Sequence, residues 1–343
     1  MFDLLKELTE LPGPIGREQA VADYLRDRWA LAGADVTVTR VGNVVADLGG
    51  KGPRLMIQAH MDEMSLSVRS IDSNGFVRLA TGARGGNLGI LPESVNREAI
   101  ILTRSGPVNG IFARPTGHLR STSGSESGAP DWDTVWIDLG LSSRDQVQAA
   151  GVHVGSPVLY KAETRQLGRH IVGKAFDDRI GLAVMTSLAE RIDRAKLTHN
   201  VVLVGTIQEE TGAIGASSLR ADLGEFDAAI ALEVGPAGDT PGSPSGSDTV
   251  ALGQGTCIVH EDAAAHYDPA LTDALINLAE KNDIPFQHAL FTAFGTDGVN
   301  LMMQGIPTAL LAVPTRYTHS PFEMVTQDDI NATLQLLEAY VTS

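Results

Sequence analysis

Short apolar runs that end on a charged or imidazole side chain recur along this chain, and they constrain its fold more than any other feature. Residues 55–59 lead directly into His60, and residues 228–232 lead directly into Glu233. Apolar runs of this length are typical of strands that are buried on both faces of a parallel sheet. Stretches with helical spacing of apolar residues, such as 269–282, lie between such runs. The alternation predicts an α/β fold in which helices sandwich a mixed, largely parallel sheet.

The pattern changes to short strands, glycines and tight turns between about residues 67 and 165. Asn74-Gly75 and Asn109-Gly110 are dipeptides that favour hairpin turns. This segment therefore predicts a small all-β insertion. The chain would then form two domains, one from 67–165 and the other from 1–66 together with 166–343, and its length of 343 residues agrees with that number.

Two stretches of the insertion are rich in small residues. Residues 82–89 contain four glycines but lack the spacing of a dinucleotide-binding or P-loop motif, so we expect a turn there. Residues 121–130 are mostly Ser, Thr and Gly, and they predict a mobile surface loop.

Composition and charge exclude several classes of function. The net charge of −16 comes from 26 basic and 42 acidic residues without a basic stripe, which predicts that nucleic acid is not a partner. No apolar stretch approaches the roughly 18 residues that would predict a membrane span. The N-terminal residues lack the pattern of a secretory signal, and the single cysteine, Cys257, cannot form an internal disulfide. These features predict a soluble cytoplasmic protein.

Imidazole and carboxylate side chains near the predicted strand ends form a candidate metal centre. Such side chains are the ligands that suit zinc and its neighbours, and one ligand from each of the five places where they occur is one more than a tetrahedral zinc takes. Two metals that share a bridging carboxylate would account for the number. In open α/β sheets ligands bind at the carboxyl ends of the strands. The candidates are His60, Asp62, Asp177, Asp178, Glu209, Glu210, Glu233 and His319.

Each candidate also has a purely structural interpretation. His60 alone is more typical of a satisfied core histidine, but Asp62 lies on the same side of an extended segment and fits as the partner that orients a metal-bound imidazole. Asp177-Asp178 would cap the helix that follows, since Asp is a favoured N-cap residue. Two adjacent acids also allow one to bridge metals while the other caps.

Glu209-Glu210 is the most informative pair. It closes the predicted strand 201–208, where adjacent like charges are unfavourable unless cations or protons offset them. In a strand the two side chains diverge, which allows one to bind a metal and the other to act as a general base. Glu233 is also expected at a strand end. For Glu209-Glu210 and for Glu233, the structural alternative to a metal site is an exposed strand end. His319 lies in a predicted loop and indicates nothing alone.

Six ordered motifs carry a family resemblance that spans nearly the whole chain at compatible spacings. They are His60-Met61-Asp62-Glu63, Gly173 to Gly181, Gln208-Glu209-Glu210-Thr211-Gly212, Ala237-Gly238-Asp239-Thr240-Pro241-Gly242, Gly295-Thr296-Asp297 and Thr315 to Pro321. Together they resemble the glutamyl aminopeptidase family of di-metal exopeptidases. Members of that family assemble into tetrahedral (TET) particles, and some carry an old endoglucanase label.

The resemblance implies a metalloaminopeptidase that removes N-terminal residues from short peptides with a free N-terminus, through a metal-bridging water. It implies two divalent ions per subunit, with zinc favoured and cobalt or manganese as alternatives. The implied ligands are His60 and Glu233 as terminal ligands on different metals, Asp177 as the bridge, and Glu210 and His319 to complete the two sites.

The resemblance also assigns roles beyond coordination. Glu209 would be the general base, Asp62 would stand behind His60, and the peptide between Asp177 and Asp178 would be cis. Residues 67–165 would form a β-barrel-like dimerisation domain, and dimers would build a dodecamer.

Three departures from the family pattern stand beside these expectations. Met64-Ser65 replaces the common Val-Gly, Gly298 replaces a frequent Ala, and Glu233 stands where Asp is usual.

Two alternatives to an aminopeptidase remain open. One is a di-metal hydrolase of another bond, such as an N-acyl amino acid or a glycoside, although glycosidases use two carboxylates without metals. The other is a catalytically silent assembly protein, which an intact Glu209 argues against.

Overall fold

The structure is a computed structural model that describes residues 1–81, 95–115, 134–243 and 250–343. The predicted turn at 82–89 and the predicted loop at 121–130 lie outside the described residues. The chain divides into two compact units. The first consists of Met1–Glu63, Thr164–Thr318 and Phe322–Ser343, and the second of Met64–Glu163 and His319–Pro321.

Helices and strands alternate through most of the first unit, and the described elements of the second unit are mainly short strands. The helices are α1 (Phe2–Glu10), α2 (Gln19–Leu31), α3 (Arg144–Ala149), α4 (Phe176–Arg191), α5 (Leu219–Leu223), α6 (Pro269–Lys281), α7 (Asp297–Met303) and α8 (Gln327–Val341). The strands are β1 (Asp35–Val38), β2 (Val44–Gly49), β3 (Arg54–His60), β4 (Leu66–Ile71), β5 (Val77–Thr81), β6 (Glu98–Thr103), β7 (Gly106–Ala113), β8 (Trp136–Asp138), β9 (Pro157–Tyr160), β10 (Arg165–Leu167), β11 (His170–Gly173), β12 (Asn200–Thr206), β13 (Ala228–Pro236), β14 (Thr256–Glu261), β15 (Phe286–Leu290), β16 (Thr308–Thr315) and β17 (Glu323–Thr326).

The first unit is built on a mixed sheet. Within the described ranges it has eight strands in the order β1-β2-β12-β3-β13-β16-β14-β15. The central strands β12, β3, β13 and β16 are parallel, whereas β2 and β14 pair antiparallel with this group. A mixed, largely parallel sheet was expected from the alternation of apolar runs, and this fold class is confirmed.

Helices cover both faces of this sheet because alternate strand residues point to opposite sides. In β3, Leu55 and Ile57 pack in a core that includes residues of α4 and α8. Met56 points the other way, into a smaller core with Leu219 and Leu301. All five side chains are fully buried. Because both faces of the central strands are covered in this way, these strands can be apolar along their whole length.

The parallel strands bring their carboxyl ends to one edge of the sheet. His60, the last residue of β3, is in register with Thr206, the last residue of β12. The next strand, β13, continues to Pro236 in register with β16. Polar residues at or just after these ends therefore converge without any long connection.

The second unit contains a closed barrel formed, in its described part, by β4-β5-β8-β7-β6-β9. The hairpin predicted at Asn74-Gly75 is confirmed, because β4 and β5 pair antiparallel across it. The hairpin predicted at Asn109-Gly110 is wrong, because both residues lie inside β7. Gly110 serves packing instead: a Cβ there would lie 2.6 Å from the Ile137 side chain.

Two further observations complete the fold. After β12, a 3₁₀ turn, Ala216–Ser218, leads directly into the short helix α5. No helix in the described ranges combines the length and apolar character needed to cross a membrane.

Candidate metal and catalytic site

His60 is the centre of the polar cluster at the carboxyl edge of the sheet. Its side chain is 1% exposed, and its Nε2 lies 3.0 Å from Asp177 Oδ1 and 3.8 Å from Glu233 Oε2. The other ring nitrogen, Nδ1, lies 3.1 Å from the backbone oxygen of Asp62 and 3.4 Å from its Oδ1. Nε2 thus faces the carboxylates of Asp177 and Glu233, which lie on other elements. Nδ1 is held by Asp62, which lies two residues after His60.

Asp62 connects this imidazole to the turn that carries the paired glutamates. Its carboxylate is completely buried, and it accepts hydrogen bonds from the backbone amides of Glu209 (3.0 Å) and Glu210 (3.1 Å). We expected Asp62 to act on the imidazole alone. The two amide bonds are an additional contact that the sequence pattern did not reveal, and they fix the main chain of Glu209-Glu210 relative to His60.

Asp177 and Asp178 begin α4 and are joined by a cis peptide, as the resemblance implied. The carboxylate of Asp178 caps the helix, since its Oδ1 accepts from the amide of Gly181 at 3.0 Å and its Oδ2 accepts from the amide of His60 at 3.3 Å. Gly181 is needed there, because a Cβ would lie 2.5 Å from Asp178 Oδ2. Asp177 is the acid whose oxygen faces the imidazole.

Glu323 supports this segment and was missed by sequence reasoning. Its Oε2 accepts hydrogen bonds from the amides of Phe176 and Asp177, which are 147 and 146 residues away in the chain. Glu323 follows the last of the six motifs by two residues and opens β17. No spacing signal connects it with α4, so only the tertiary structure reveals the contact.

Glu209 and Glu210 do not extend β12 as expected. The strand ends at Thr206, Gln208 has a left-handed φ of 53°, and the glutamates lie in the 3₁₀ turn Glu209–Thr211. A second carboxylate missed from the sequence stabilises the start of this turn: Glu18 Oε1 accepts from the amide of Gln208 at 3.2 Å. The prediction that the two side chains diverge on a strand is therefore wrong, because neither glutamate lies on β12, although both remain at the carboxyl edge of the sheet.

Glu233 lies inside its strand and not at the end of it. β13 continues for three residues beyond Glu233, to Pro236, because it pairs with β16 over its whole length. The side chain is nevertheless 4% exposed and points to the imidazole. Its other oxygen, Oε1, accepts from the amide of Val234 at 2.9 Å.

The candidate ligands fall into two groups that share His60. Among the described residues these are His60, Asp177 and Glu210, and His60, Asp178 and Glu233; the donor atoms of each group lie within 4.8 Å of one another. His319 belongs to neither group. It has a left-handed φ of 62° and falls, with Ser320 and Pro321, in the second unit.

The cluster holds more negative charge than its buried position favours. Burial raises the pKa of Glu233 well above its usual range, and the charges of Asp177 and Asp178 raise it further. The pKa values of Asp178 and Glu209 are raised in the same way, chiefly by burial. Burial opposes the charged form of His60, but Glu233 and Asp177 outweigh it and raise the pKa of the imidazole. Bound cations would offset this charge.

The residues present fit a divalent metal centre. Imidazole and carboxylate oxygen are ligands that zinc, cobalt and manganese accept. Because ligand bonds to such ions are about 2 Å long, donor atoms within 4.8 Å of one another are close enough to share an ion. Most of these side chains are buried, so water competes little with the ion for them.

A buried charge cluster joins the two chain segments that carry His60 and Asp177. Glu63 Oε2 lies 2.6 Å from Lys174 Nζ, and Glu63 Oε1 accepts from the amide of Gly13 at 3.1 Å. Arg179 Nη2 lies 3.7 Å from the same carboxylate. Glu63, Lys174 and Arg179 all lie in the sequence motifs, but no pattern in the sequence predicted that they contact one another.

Replacing Lys174 with methionine is expected to lower the free energy of unfolding by about 3 kcal/mol, because it leaves the buried Glu63 carboxylate without its nearest cation. Urea denaturation followed by circular dichroism would measure the loss. Lys196→Met is the matched control, since the Lys196 side chain is 73% exposed. Equal stabilities of the two variants would contradict the assignment of Lys174 to a stabilising pair.

Comparison with known proteins identifies the family. Residues 42–336 match the model of the M42 glutamyl aminopeptidase family. This chain belongs to that family. The expectation from the six motifs is confirmed, and the M42 chain is an aminopeptidase, a hydrolase of the exopeptidase class.

Its relatives include enzymes and solved structures of similar length. The lysyl aminopeptidase of Pyrococcus furiosus is 30% identical over 352 aligned residues, which cover 98% of this chain and 96% of the relative. An aminopeptidase structure from Desulfurococcus kamchatkensis superposes with a TM-score of 0.92 at 30% identity, covering 100% of this chain and 94% of the other. The TET1 peptidase of Pyrococcus horikoshii, described as assembling into a tetrahedron or a large octahedral shell, has a TM-score of 0.88 at 27% identity and 99% coverage of both chains.

Proposed function

We propose that this M42 aminopeptidase depends on divalent metal ions and removes N-terminal residues from short peptides. The observation that carries the proposal is the pair of ligand groups that share His60. Glu209, a candidate base, directly precedes the ligand Glu210 in the same turn. A carboxylate that is free to take a proton, next to ligands that bind a cation, is the arrangement that metal-assisted hydrolysis of an amide requires.

The metal ligands in this proposal are His60, Asp177, Glu210 and Glu233, and the family resemblance adds His319. We assign His60 and Glu233 to different ions that share Asp177, as the resemblance implies, because Asp177 Oδ1 at 3.0 Å lies closer to His60 Nε2 than Glu233 Oε2 at 3.8 Å does. When bound, two divalent ions would polarise the scissile carbonyl and lower the pKa of the attacking water. Zinc is the proposed ion, with cobalt and manganese as alternatives.

Glu209 is the proposed general base. It would accept a proton from the attacking water and pass it to the nitrogen of the leaving peptide. Hydrogen bonds from the amides of Glu209 and Glu210 to Asp62 keep the turn in place during this transfer. Asp62 therefore orients two parts of the site, the imidazole of His60 and the main chain of the base.

Replacing Asp62 with asparagine is expected to reduce kcat by about 10- to 100-fold, since partners of metal-bound histidines have effects of this size. Asparagine has the same shape, but it is neutral and offers one carbonyl oxygen to the two amides. Steady-state kinetics at saturating metal would measure the change, with Asp72→Asn in a barrel turn as the control. An unchanged kcat in Asp62→Asn would remove this role.

A substrate panel tests the reaction itself. The metal-supplemented enzyme is expected to cleave aminoacyl p-nitroanilides and short peptides that have a free N-terminus, and to leave N-acetylated versions intact. Removing metal with a chelator should abolish cleavage, and adding zinc, cobalt or manganese back should restore it. Cleavage of the N-acetylated versions alone, or full activity without metal, would contradict the proposal.

We also propose that the 67–165 segment mediates self-association into a dodecamer built from dimers. Support comes from the assemblies described for the Pyrococcus horikoshii relative. Apolar side chains on the surface of the second unit, Val154 at 66% and Ile111 at 48% exposure, are consistent with such contacts. Light scattering after size exclusion should give about twelve times the subunit mass of 36.3 kDa. A monomer across the concentration range would contradict this.

The remaining expectations concern surroundings and partners. A cytoplasmic location, and the absence of nucleic-acid and membrane partners, stay predictions from the acidic charge and the single cysteine.

A further inference from the structure

A buried carboxylate lies behind the strand ends that carry the site. Asp297, the first residue of α7, is 1% exposed. Its Oδ2 accepts hydrogen bonds from Gln58 Nε2 and from Thr206 Oγ1, both at 2.5 Å. Gln58 Nε2 also lies 2.9 Å from Thr206 Oγ1, so the three side chains form a closed polar triangle. Asp297 belongs to one of the six motifs, but the proposed chemistry gives it no role.

The triangle joins the two strands that deliver the metal ligand and the general base. Gln58 lies two residues before His60 on β3 and therefore points to the same side of the strand. Thr206 is the last residue of β12 and the register partner of His60, and its carbonyl accepts from the amide of Met61 at 2.7 Å. The Glu209–Thr211 turn begins three residues after it. Asp297 Oδ2 thus holds the ends of both β3 and β12, next to the residues that form the site.

Asp297 is itself fixed from the opposite side. Thr296, the N-cap residue of α7, has its Oγ1 2.9 Å from the hydroxyl of Tyr267. That hydroxyl donates to Asp262 Oδ2 at 2.5 Å. The network therefore runs from the chain segment before α6, through the start of α7, to the ends of β3 and β12. A displacement of Asp297 would be transmitted to both strands.

The buried polar contacts of Asp297 do not favour the stability of the fold. In the described part of the chain, Asp297 Oδ1 and Gln58 Oε1 are buried without a hydrogen-bond partner, and no cation pairs with the carboxylate. Burial raises the pKa of Asp297 to about 7. Apolar side chains of similar size would fill this space without leaving polar atoms unpaired. Asp297 is therefore unfavourable for folding, yet it holds the ends of β3 and β12 through Gln58 and Thr206. This combination indicates that Asp297 has a role in the site.

We propose that Asp297 is a positioning residue that sets the orientation of His60 relative to the Glu209 turn through Gln58 and Thr206. This inference rests on the proposed function of His60 as a metal ligand and of Glu209 as the base. Asp297 acts through its neighbours and does not contact substrate or metal. Its removal should weaken metal binding and slow the chemical step, with little effect on the KM for the peptide.

The test uses Asp297→Asn, which keeps the shape of the side chain and leaves a neutral amide oxygen, a weaker acceptor for Gln58 and Thr206 than the carboxylate. The affinity of the metal-free protein for Co²⁺, followed by visible absorption, is expected to fall about 10- to 100-fold, and kcat at saturating metal should fall by a similar factor. Thr206→Val removes one arm of the triangle and should give a smaller loss of the same kind. The double variant should lose little more than Asp297→Asn alone, because both changes weaken one network.

The matched control is Asp329→Asn. Asp329 is fully buried and accepts hydrogen bonds from the amides of Gly253 and Gly255 and from Thr326 Oγ1, so its loss affects stability without touching the triangle. The inference is overturned if Co²⁺ affinity and kcat in Asp297→Asn fall no more than in this control. It is also overturned if Thr206→Val keeps wild-type Co²⁺ affinity, a measurement that remains decisive if Asp297→Asn does not fold.

The Co²⁺ titration separates this inference from the proposed function. A wild-type protein that binds Co²⁺ but cleaves no free-amine substrate would contradict the aminopeptidase chemistry and leave the positioning role measurable. An active wild-type enzyme with normal Co²⁺ affinity in both variants would contradict the positioning role alone.

Discussion

Glutamine in place of Glu209 is expected to reduce kcat by about 10² to 10⁴ while metal content and fold are retained, because a positioned base contributes a factor of this size. The amide of glutamine cannot accept the proton of the attacking water, but it has the same length as the carboxylate. The backbone amide of residue 209 can still donate to Asp62, so the turn should persist. The substitution therefore isolates proton transfer from coordination and from the shape of the site.

Two measurements on the same preparation check this result. Elemental analysis should give equal metal content in wild type and Glu209→Gln, and initial rates on an aminoacyl p-nitroanilide should differ by the factor above. Glu225→Gln is the matched control, since this glutamate is 77% exposed in a surface pair with Arg220. Wild-type turnover in a metal-replete Glu209→Gln protein would remove Glu209 from the role of base.

Alanine in place of Asp177 should have an effect of comparable size for a different reason. Asp177 Oδ1 lies 3.0 Å from the imidazole, and the resemblance makes this residue the bridge between two ions. Its loss should lower the bound metal to well below two ions per subunit and reduce activity by at least about 100-fold. Elemental analysis after dialysis and rates measured over a range of added zinc would report both changes.

The dependence on added metal distinguishes this variant from the Glu209 variant. Activity of Asp177→Ala should recover only in part at high zinc, whereas Glu209→Gln should not respond to zinc at all. Asp27→Ala, at a 69% exposed position on α2, is the control for the loss of a surface carboxylate. Two tightly bound ions in Asp177→Ala would contradict its role as the bridge.

The parts of the site that the sequence predicted are those in which a local pattern determines the position. The apolar run before His60 ends where the strand reaches the edge of the sheet, so the place of the histidine follows from the run itself. The two acids at the start of α4 were expected to divide between capping and metal binding. The structure has Asp178 as the cap, with Asp177 Oδ1 facing the imidazole.

The parts that the sequence could not predict depend on contacts between distant segments. The chain after β12 reads as a continued strand, but Gln208 turns left-handed because Glu18 and Asp62 provide acceptors for the amides of the turn. Val-Gly-Pro after Glu233 looks like the end of a strand, yet pairing with β16 extends β13 to Pro236. Local propensity was overruled in both places by partners that only folding brings near.

The contact of Glu323 with the start of α4 has a consequence for the order in which the protein folds. The acceptor for the amides of Phe176 and Asp177 lies in β17, 147 and 146 residues away in the chain, so this segment is completed only by a contact of long range in sequence. Contacts that close such large loops form slowly. The candidate ligand Asp177 is therefore expected to reach its final position late in folding, after β17 has paired with β11.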